Sequence, residues 1–220
     1  MLKFKCLILD HDDTVVNSTG CIHYPSFIEY LKIKRPERVK DYTMELFIEK
    51  NFIPGIVSLF ADELSLTDAE MHEEQLFWER FVETRIPTAY AGMREILERF
   101  RAEGGIIAVV SHSMTRYIER DYRENSLPAP DAIYGWDLPR DKRKPSPFAI
   151  EDLCKKYNLT PSDIIVVDDL KPGFDMARAG GVYFAAAGWA YNVPLIKDFM
   201  QQHSDVYLSE VEALAAELFA

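Results

Sequence analysis

Two hydrophobic periods alternate along this chain. The unbroken apolar runs Ile106–Val110 and Ile164–Val167 leave no polar face, and they predict strands buried on both sides, as in parallel sheets. Phe4–Leu9, Ala132–Tyr134, Val182–Ala186 and Val206–Leu208 predict four more strands. Between them, apolar residues recur at helical spacing. Met93, Ile96, Leu97 and Phe100 stand at i, i+3, i+4 and i+7, as do Ile150, Leu153, Cys154 and Tyr157, and Val211, Leu214, Ala215 and Leu218. Ser209 and Glu212 have capping-box spacing ahead of the last helix. Gly104-Gly105 and Gly180-Gly181 stop two others. Strand and helix in alternation predict an α/β fold with a doubly wound, Rossmann-like parallel sheet.

One stretch breaks the alternation. From Pro25 to Arg85 only helical patterns occur, at Phe27–Lys34, Val39–Asn51, Ile56–Leu64 and Thr67–Thr84. Thr67 and Glu70 form a capping box at the start of the last of these. An all-helical block after the first strand reads as an insertion. Residues 17–87 are expected to form a helical cap, and residues 1–16 with 88–220 an α/β core. The polar and Pro-bearing flanks, Asn17–Gly20 and Ile86-Pro87-Thr88, suit hinges.

Composition narrows the functional classes. A net charge of −11 over 220 residues argues against a general nucleic-acid binder, which needs a basic face. It leaves open a phosphate held in one pocket. No apolar stretch approaches membrane-spanning length, and the N-terminal apolar run stops at Asp10, too soon for a signal peptide. Three cysteines without C-x-x-C spacing point to a reducing, cytoplasmic setting rather than to a disulfide or zinc framework.

The candidate chemistry lies where strands end. Asp10-His11-Asp12-Asp13-Thr14 follows the first strand, Ser111-His112-Ser113 the second apolar run, and Asp168-Asp169 a third, with Lys144 ahead of Pro145. Carboxylates crowded at one sheet edge repel and resist desolvation, so a cation is needed. A hard divalent ion is the natural candidate. In an open α/β sheet those strand ends meet at one edge, where ligands bind.

These motifs, in this order, resemble the haloacid dehalogenase-like hydrolase superfamily: D-x-D-x-T, a strand ending in Ser, Lys in K-P-x-P, and an acidic pair with Gly173 four residues on. Thr88-Ala89-Tyr90-Ala91-Gly92 resembles the usual return from a helical cap. The resemblance implies a Mg²⁺-dependent phosphatase acting on a small phosphorylated metabolite, with Asp10 as nucleophile forming an aspartyl-phosphate. Asp12 would protonate the leaving alcohol and then deprotonate water. Its backbone carbonyl would join Asp10, Asp169 and, directly or at one remove, Asp168 around the metal. Ser111 and the His112 backbone N–H would bind phosphoryl oxygens, and Lys144 would offset the growing negative charge. Thr14 would shape the turn beside Asp12, and His23 is a candidate substrate contact, as is Tyr24. Asp12 favours phosphoryl transfer over dehalogenation, because a halide leaves without a proton. Asp13, where Gly is frequent, reads as tolerated, and His11 as a packing residue. The protein is expected to be a monomer or homodimer, with no nucleic-acid or membrane partner. Two alternatives stay open: a phosphomutase, since some mutase relatives carry a His near the position of His23, and a non-catalytic binding module.

Overall fold

A computed structural model describes all residues, Met1–Ala220. Six strands form one parallel sheet: β1 (Cys6–Leu9), β4 (Ile106–Val110), β5 (Ala132–Tyr134), β6 (Ile164–Asp168), β7 (Tyr183–Ala187) and β8 (Val206–Leu208). Their order is β5-β4-β1-β6-β7-β8. The chain therefore runs outward from β1 in both directions, which makes the crevice beside β1 the topological switch point where such folds bind ligands. Leu9 is in register with Val109 of β4 and Val167 of β6. That register brings Asp10, Ser111 and Asp168 to one edge.

The two faces of the sheet divide the apolar runs by parity. Leu7, Leu9, Ile107, Val109, Ile165 and Val167 pack with helices α5 (Met93–Ala102), α6 (Thr115–Glu124) and α10 (Val211–Leu218). Cys6, Ile8, Ala108, Val110, Ile164 and Val166 pack on the other face, with α7 (Phe148–Tyr157), α8 (Lys171–Gly180) and α9 (Pro194–His203). A strand with no polar face is therefore the expected sequence, because both of its sides are covered.

The helical block contains α1 (Tyr24–Lys34), α2 (Met44–Phe52), the single turn α3 (Ile56–Ser58) and α4 (Asp68–Glu83). Its own core gathers around Phe27, which meets Tyr42 edge-on at 5.1 Å and Phe47 at 4.7 Å between ring centroids. The block is tied to the sheet domain by two short antiparallel strands, β2 (Val16–Asn17) and β3 (Thr88–Ala89). Asn125 clamps the returning segment, donating to Pro87 O and accepting from Ala89 N. Arg120 donates to Val82 O and Arg85 O. A second contact reaches across from α2, where Phe52 meets Phe199 of α9 edge-on at 5.3 Å. No helix is long and apolar enough to cross a membrane.

Four local features differ from the sequence expectation. The stretch Val39–Asn51 is not one helix: a 3₁₀ turn over Pro36–Asp41 ends before α2, because the Thr43 hydroxyl accepts from Leu46 N and starts a new helix there. The pair Ser209 and Glu212 forms no capping box. Glu210 stands at the N-cap of α10 in extended conformation, without a side-chain cap bond. Helix α9 lacked a clear stripe because only Ile196 and Met200 of its ten residues are buried. The two-residue strands β2 and β3 are too short to show any period. The box at Thr67 and Glu70 does form.

The side chain of Phe100 is fully buried against Phe219, and a Cβ on Gly105 would lie 2.2 Å from its ring. Phe100→Ala should therefore cost about 3–5 kcal/mol, read in urea denaturation as a lower midpoint at unchanged slope.

Candidate active site

The turn after β1 is set by backbone geometry. His11 O accepts from both Val15 N and Val16 N, and Asp13 adopts a left-handed φ of 59°. Gly is favoured at such a position; Asp is among the few side chains that tolerate it. Asp13 also accepts from Ser18 N and Thr19 N, at 3.2 and 3.1 Å. It thereby anchors the π-helical turn Thr19–His23 that leads into the helical block. Its role is structural rather than merely tolerated.

The nucleophile candidate, Asp10, is buried, and its N–H donates to Val167 O at 2.9 Å. Lys144 Nζ donates to Asp10 Oδ1 at 2.6 Å and to Asp168 Oδ2 at 2.7 Å. Asp10, Asp168 and Asp169 each offer an oxygen within 4.8 Å of the others. Asp169 accepts from Thr14 Oγ1 at 3.0 Å and from Tyr191 Oη at 2.5 Å. Asp168 also accepts from Leu170 N at 2.9 Å.

These contacts do not discharge the cluster. Burial raises Asp168 to about 6, with Asp10 adding to the rise and Lys144 opposing it. Asp169 is pushed well above the usual carboxylate range by burial, then by Asp10, Asp168 and Asp13. Burial works against the Lys144 ammonium, but Asp10 and Asp168 outweigh it and hold the group firmly protonated. With all three carboxyls ionised, the single ammonium would leave two negative charges uncompensated, and that repulsion adds to the effect of burial at Asp168 and Asp169. A hard divalent cation with oxygen ligands matches both that charge and the donor set.

Asp12 stands apart. Its Oδ2 accepts from Ser113 Oγ at 2.5 Å, and its Oδ1 lies 3.0 Å from His23 Nε2. Burial opposes ionisation, but His23, His11 and Ser113 outweigh it, so the carboxyl lies well below its ordinary range. His23 in turn accepts from Trp78 Nε1 on α4, at 2.9 Å to Nδ1. Burial lowers the His23 pKa, whereas Asp12 raises it more, toward the cation. An indole N–H only donates, so the Trp78 bond requires an unprotonated Nδ1. While that bond holds, the ring carries its proton on Nε2, toward Asp12, and the pull of Asp12 toward the cation works against it.

One cavity of about 300 Å³ joins these groups. Asp10, Asp12, Ser111, His112, Lys144, Asp168, Asp169 and His23 all line it. The Ser111 hydroxyl accepts from Ser113 N, and the His112 backbone N–H has no acceptor within the protein. The His112 ring contacts Lys144 O at 3.2 Å, and burial with the nearby Lys144 charge lowers its pKa to about 4. Thr14 does not line the cavity: the turn at Asp13 carries its side chain beneath the site, onto Asp169. Tyr24 donates to Tyr42 O inside the helical block, away from the cavity. His11 faces away as well, with Nε2 3.1 Å from Asp121 and its ring stacked on Tyr122. The sequence reading missed Ser113, Tyr191 and Trp78. Ser113 left a faint signal, two residues beyond Ser111 in the same loop. Tyr191 and Trp78 left none, because single aromatics more often pack than bind.

Comparison with known proteins matches the chain to the family model described as haloacid dehalogenase-like hydrolase, over residues 7–187. A phosphoglycolate phosphatase of Mannheimia succiniciproducens is 28% identical over 204 residues, covering 88% of this chain and 90% of that one. The crystal structure of a predicted phosphoglycolate phosphatase from Haemophilus somnus superimposes with a TM-score of 0.74 at 22% identity, covering 98% of each chain. A haloacid dehalogenase-like family hydrolase from Streptococcus pneumoniae gives 0.72 at 18% identity, covering 97% of this chain and 98% of that one. The two structures share the fold.

A Cβ on Gly173 would lie 2.0 Å from Asp168 Oδ2 and 2.1 Å from its Cγ. Gly173→Ala should therefore overpack the site and destabilise the protein by about 1–3 kcal/mol. At Gly20 the nearest atom is Asn17 Oδ1 at 3.6 Å, so Gly20→Ala should stay within about 0.5 kcal/mol. Parallel urea titrations measure both.

Proposed function

Because this chain belongs to the haloacid dehalogenase-like hydrolase family, we propose that it is a Mg²⁺-dependent phosphatase that hydrolyses a small phosphorylated metabolite through an aspartyl-phosphate. One observation carries this reading. Asp10 and Asp12 face the same cavity, yet their surroundings differ: Asp10 is bridged to Asp168 by Lys144, and Asp12 is held by Ser113 and His23. Two carboxylates separated in this way can take separate tasks, one as nucleophile and one as acid and base. The relatives named phosphoglycolate phosphatase support hydrolysis of a phosphate monoester.

In the proposed sequence, an Asp10 oxygen attacks phosphorus and the ester P–O bond breaks. Asp12 would give a proton to the departing alkoxide, which requires the charge of the incoming phosphate to raise its carboxyl from the depressed range it has beside His23 and Ser113. Asp12, now ionised, takes a proton from water, which attacks the acyl phosphate, releases inorganic phosphate and restores Asp10. Ser113 and His23 stabilise the ionised form of Asp12 needed for that second step. Ser111 and the unpaired His112 N–H stand where they can hold phosphoryl oxygens, and Lys144 counters charge between nucleophile and phosphoryl group. Asp10, Asp169 and the Asp12 backbone carbonyl would hold Mg²⁺, with Asp168 bound to Lys144 behind them. When bound, the ion neutralises the cluster and the incoming phosphate. Residues 17–87 would act as a cap on the core formed by 1–16 and 88–220, hinged at β2 and β3. Three free cysteines support a reducing compartment.

Asp10→Asn should abolish release of inorganic phosphate from 4-nitrophenyl phosphate while the circular dichroism spectrum is unchanged; full turnover in that variant would sink the covalent scheme. Chelation by EDTA should remove activity, and Mg²⁺, not Zn²⁺, should restore it. Indifference to the chelator would remove the metal from the scheme. Primer-dependent isomerisation of a sugar phosphate, without net phosphate release, would favour the mutase.

A further inference from the structure

The cavity has two chemically different ends. At the core end lie the carboxylates and Lys144, whose ammonium is already bound to Asp10 and Asp168. At the cap end the wall is apolar and largely aromatic, built from Phe27, Phe47, Ile56, Phe60, Met71 and Trp78. No arginine lines the cavity, and Lys144 is its sole lysine. Three basic side chains of the helical block pair with acids away from the cavity. Lys50 pairs with Glu63 at 2.6 Å, Arg35 with Glu70 at 2.9 Å and Arg38 with Asp41 at 2.9 Å.

Five polar side chains of the helical block line the cavity: Thr19 and His23 beside Asp12 and Asp13, and Asn51, Glu74 and Gln75 within the apolar wall. The Asn51 amide nitrogen donates to Phe47 O at 2.8 Å, and that of Gln75 to Glu79 at 3.3 Å, which leaves each carbonyl oxygen and one N–H for a ligand. Glu74 lines the same wall, and no hydrogen bond within the protein engages its carboxylate. Burial against this surface raises its pKa to about 7, with His23 pulling the other way. A ligand cation or N–H donor would supply the partner Glu74 lacks. A ligand carboxylate at this end would face an acid, two amides and apolar rings, with no lysine or arginine to offset its desolvation and with His23 already engaged by Asp12 and Trp78.

We propose that this cavity selects phosphate esters of apolar, ring-bearing alcohols carrying a hydrogen-bond donor or a positive charge near Glu74, and rejects phosphorylated carboxylic acids such as 2-phosphoglycolate. The proposal rests on the phosphatase reading and sets this chain apart from the activity in its relatives' names. The phosphoryl group takes the Lys144 end, and the ring takes the Phe27 and Trp78 end. Specificity comes from charge at the far end of the leaving group, since the phosphoryl end is common to every candidate ester.

A matched series tests this, with phosphate release measured for each member in Mg²⁺ buffer: 4-(aminomethyl)phenyl phosphate, 4-ethylphenyl phosphate, 4-carboxyphenyl phosphate and 2-phosphoglycolate. The expected order of kcat/KM is cationic above neutral, and neutral above carboxylate by about 100-fold, with 2-phosphoglycolate at the bottom. In Glu74→Gln the cationic ester should lose about tenfold relative to the neutral one; the ratio is taken within one variant, so a folding defect cancels. Should Glu74→Gln unfold, Glu74→Asp replaces it, keeping the charge on a shorter stem, and the cationic preference should survive in reduced form. If 2-phosphoglycolate or the carboxylate ester matches the neutral ester, or if Glu74→Gln leaves the ratio unchanged, the selectivity proposal is overturned while the phosphatase reading stands. No release from any ester, 4-nitrophenyl phosphate included, overturns the phosphatase reading and this proposal together.

Discussion

The bridge from Lys144 to Asp10 and Asp168 is the interaction on which the rest depends. A parallel sheet with both faces covered leaves its strand ends as the place to gather polar groups from distant parts of the chain. Here those groups are acids, and acids brought together out of water repel. One ammonium, almost as buried as its partners, at 2.6 and 2.7 Å, makes it possible for Asp10 and Asp168 to lie side by side. It does not finish the task. Burial first, and then the neighbouring carboxylates, still hold the Asp169 carboxyl above its usual range, and the donor set favours a divalent cation to complete the balance.

The same crowding explains why Asp12 lies outside the cluster. It carries its own partners, one from the core and one from the block above it. Ser113 belongs to the loop after β4, and His23 belongs to the turn that opens the helical block. Trp78 on α4 then fixes His23 through a bond to Nδ1. A residue of the loop after β1 is thus connected to the far helix of the helical block through two contacts, Asp12 to His23 and His23 to Trp78. The orientation of the acid–base candidate depends on where the cap sits, which is a physical reason for placing an insertion directly after the first strand.

The cavity shows the division of labour in another way. Its core end is fixed by charge and its cap end by shape and acceptors, so the two ends constrain different parts of a ligand. The first gathers the motif residues on which the resemblance to the haloacid dehalogenase-like hydrolase family rests. The second is built from the helical block, which supplies Phe27, Phe60, Glu74 and Trp78.

Much of this was readable before any coordinate. Strands buried on both faces show as unbroken apolar runs, and β4, β5 and β8 have the ranges their runs predicted. The motif residues were legible because catalysis needs particular side chains at strand ends, and chain order fixes those ends. The inserted helical block was legible from a missing strand signal. Other features depend on contacts between segments far apart in sequence. Two-residue strands β2 and β3 exist only because each supplies the other's hydrogen bonds. Thr14 supports Asp169 and not the cavity because the left-handed turn at Asp13 redirects it. Ser113, Tyr191 and Trp78 acquire roles only through partners 101, 22 and 55 residues away in the chain, Asp12, Asp169 and His23 respectively. The sequence by itself determined the chemistry, because reactive groups are written locally at strand ends. The tertiary structure alone decided the selectivity, because the wall facing Glu74 is assembled from helices that meet only when the chain folds.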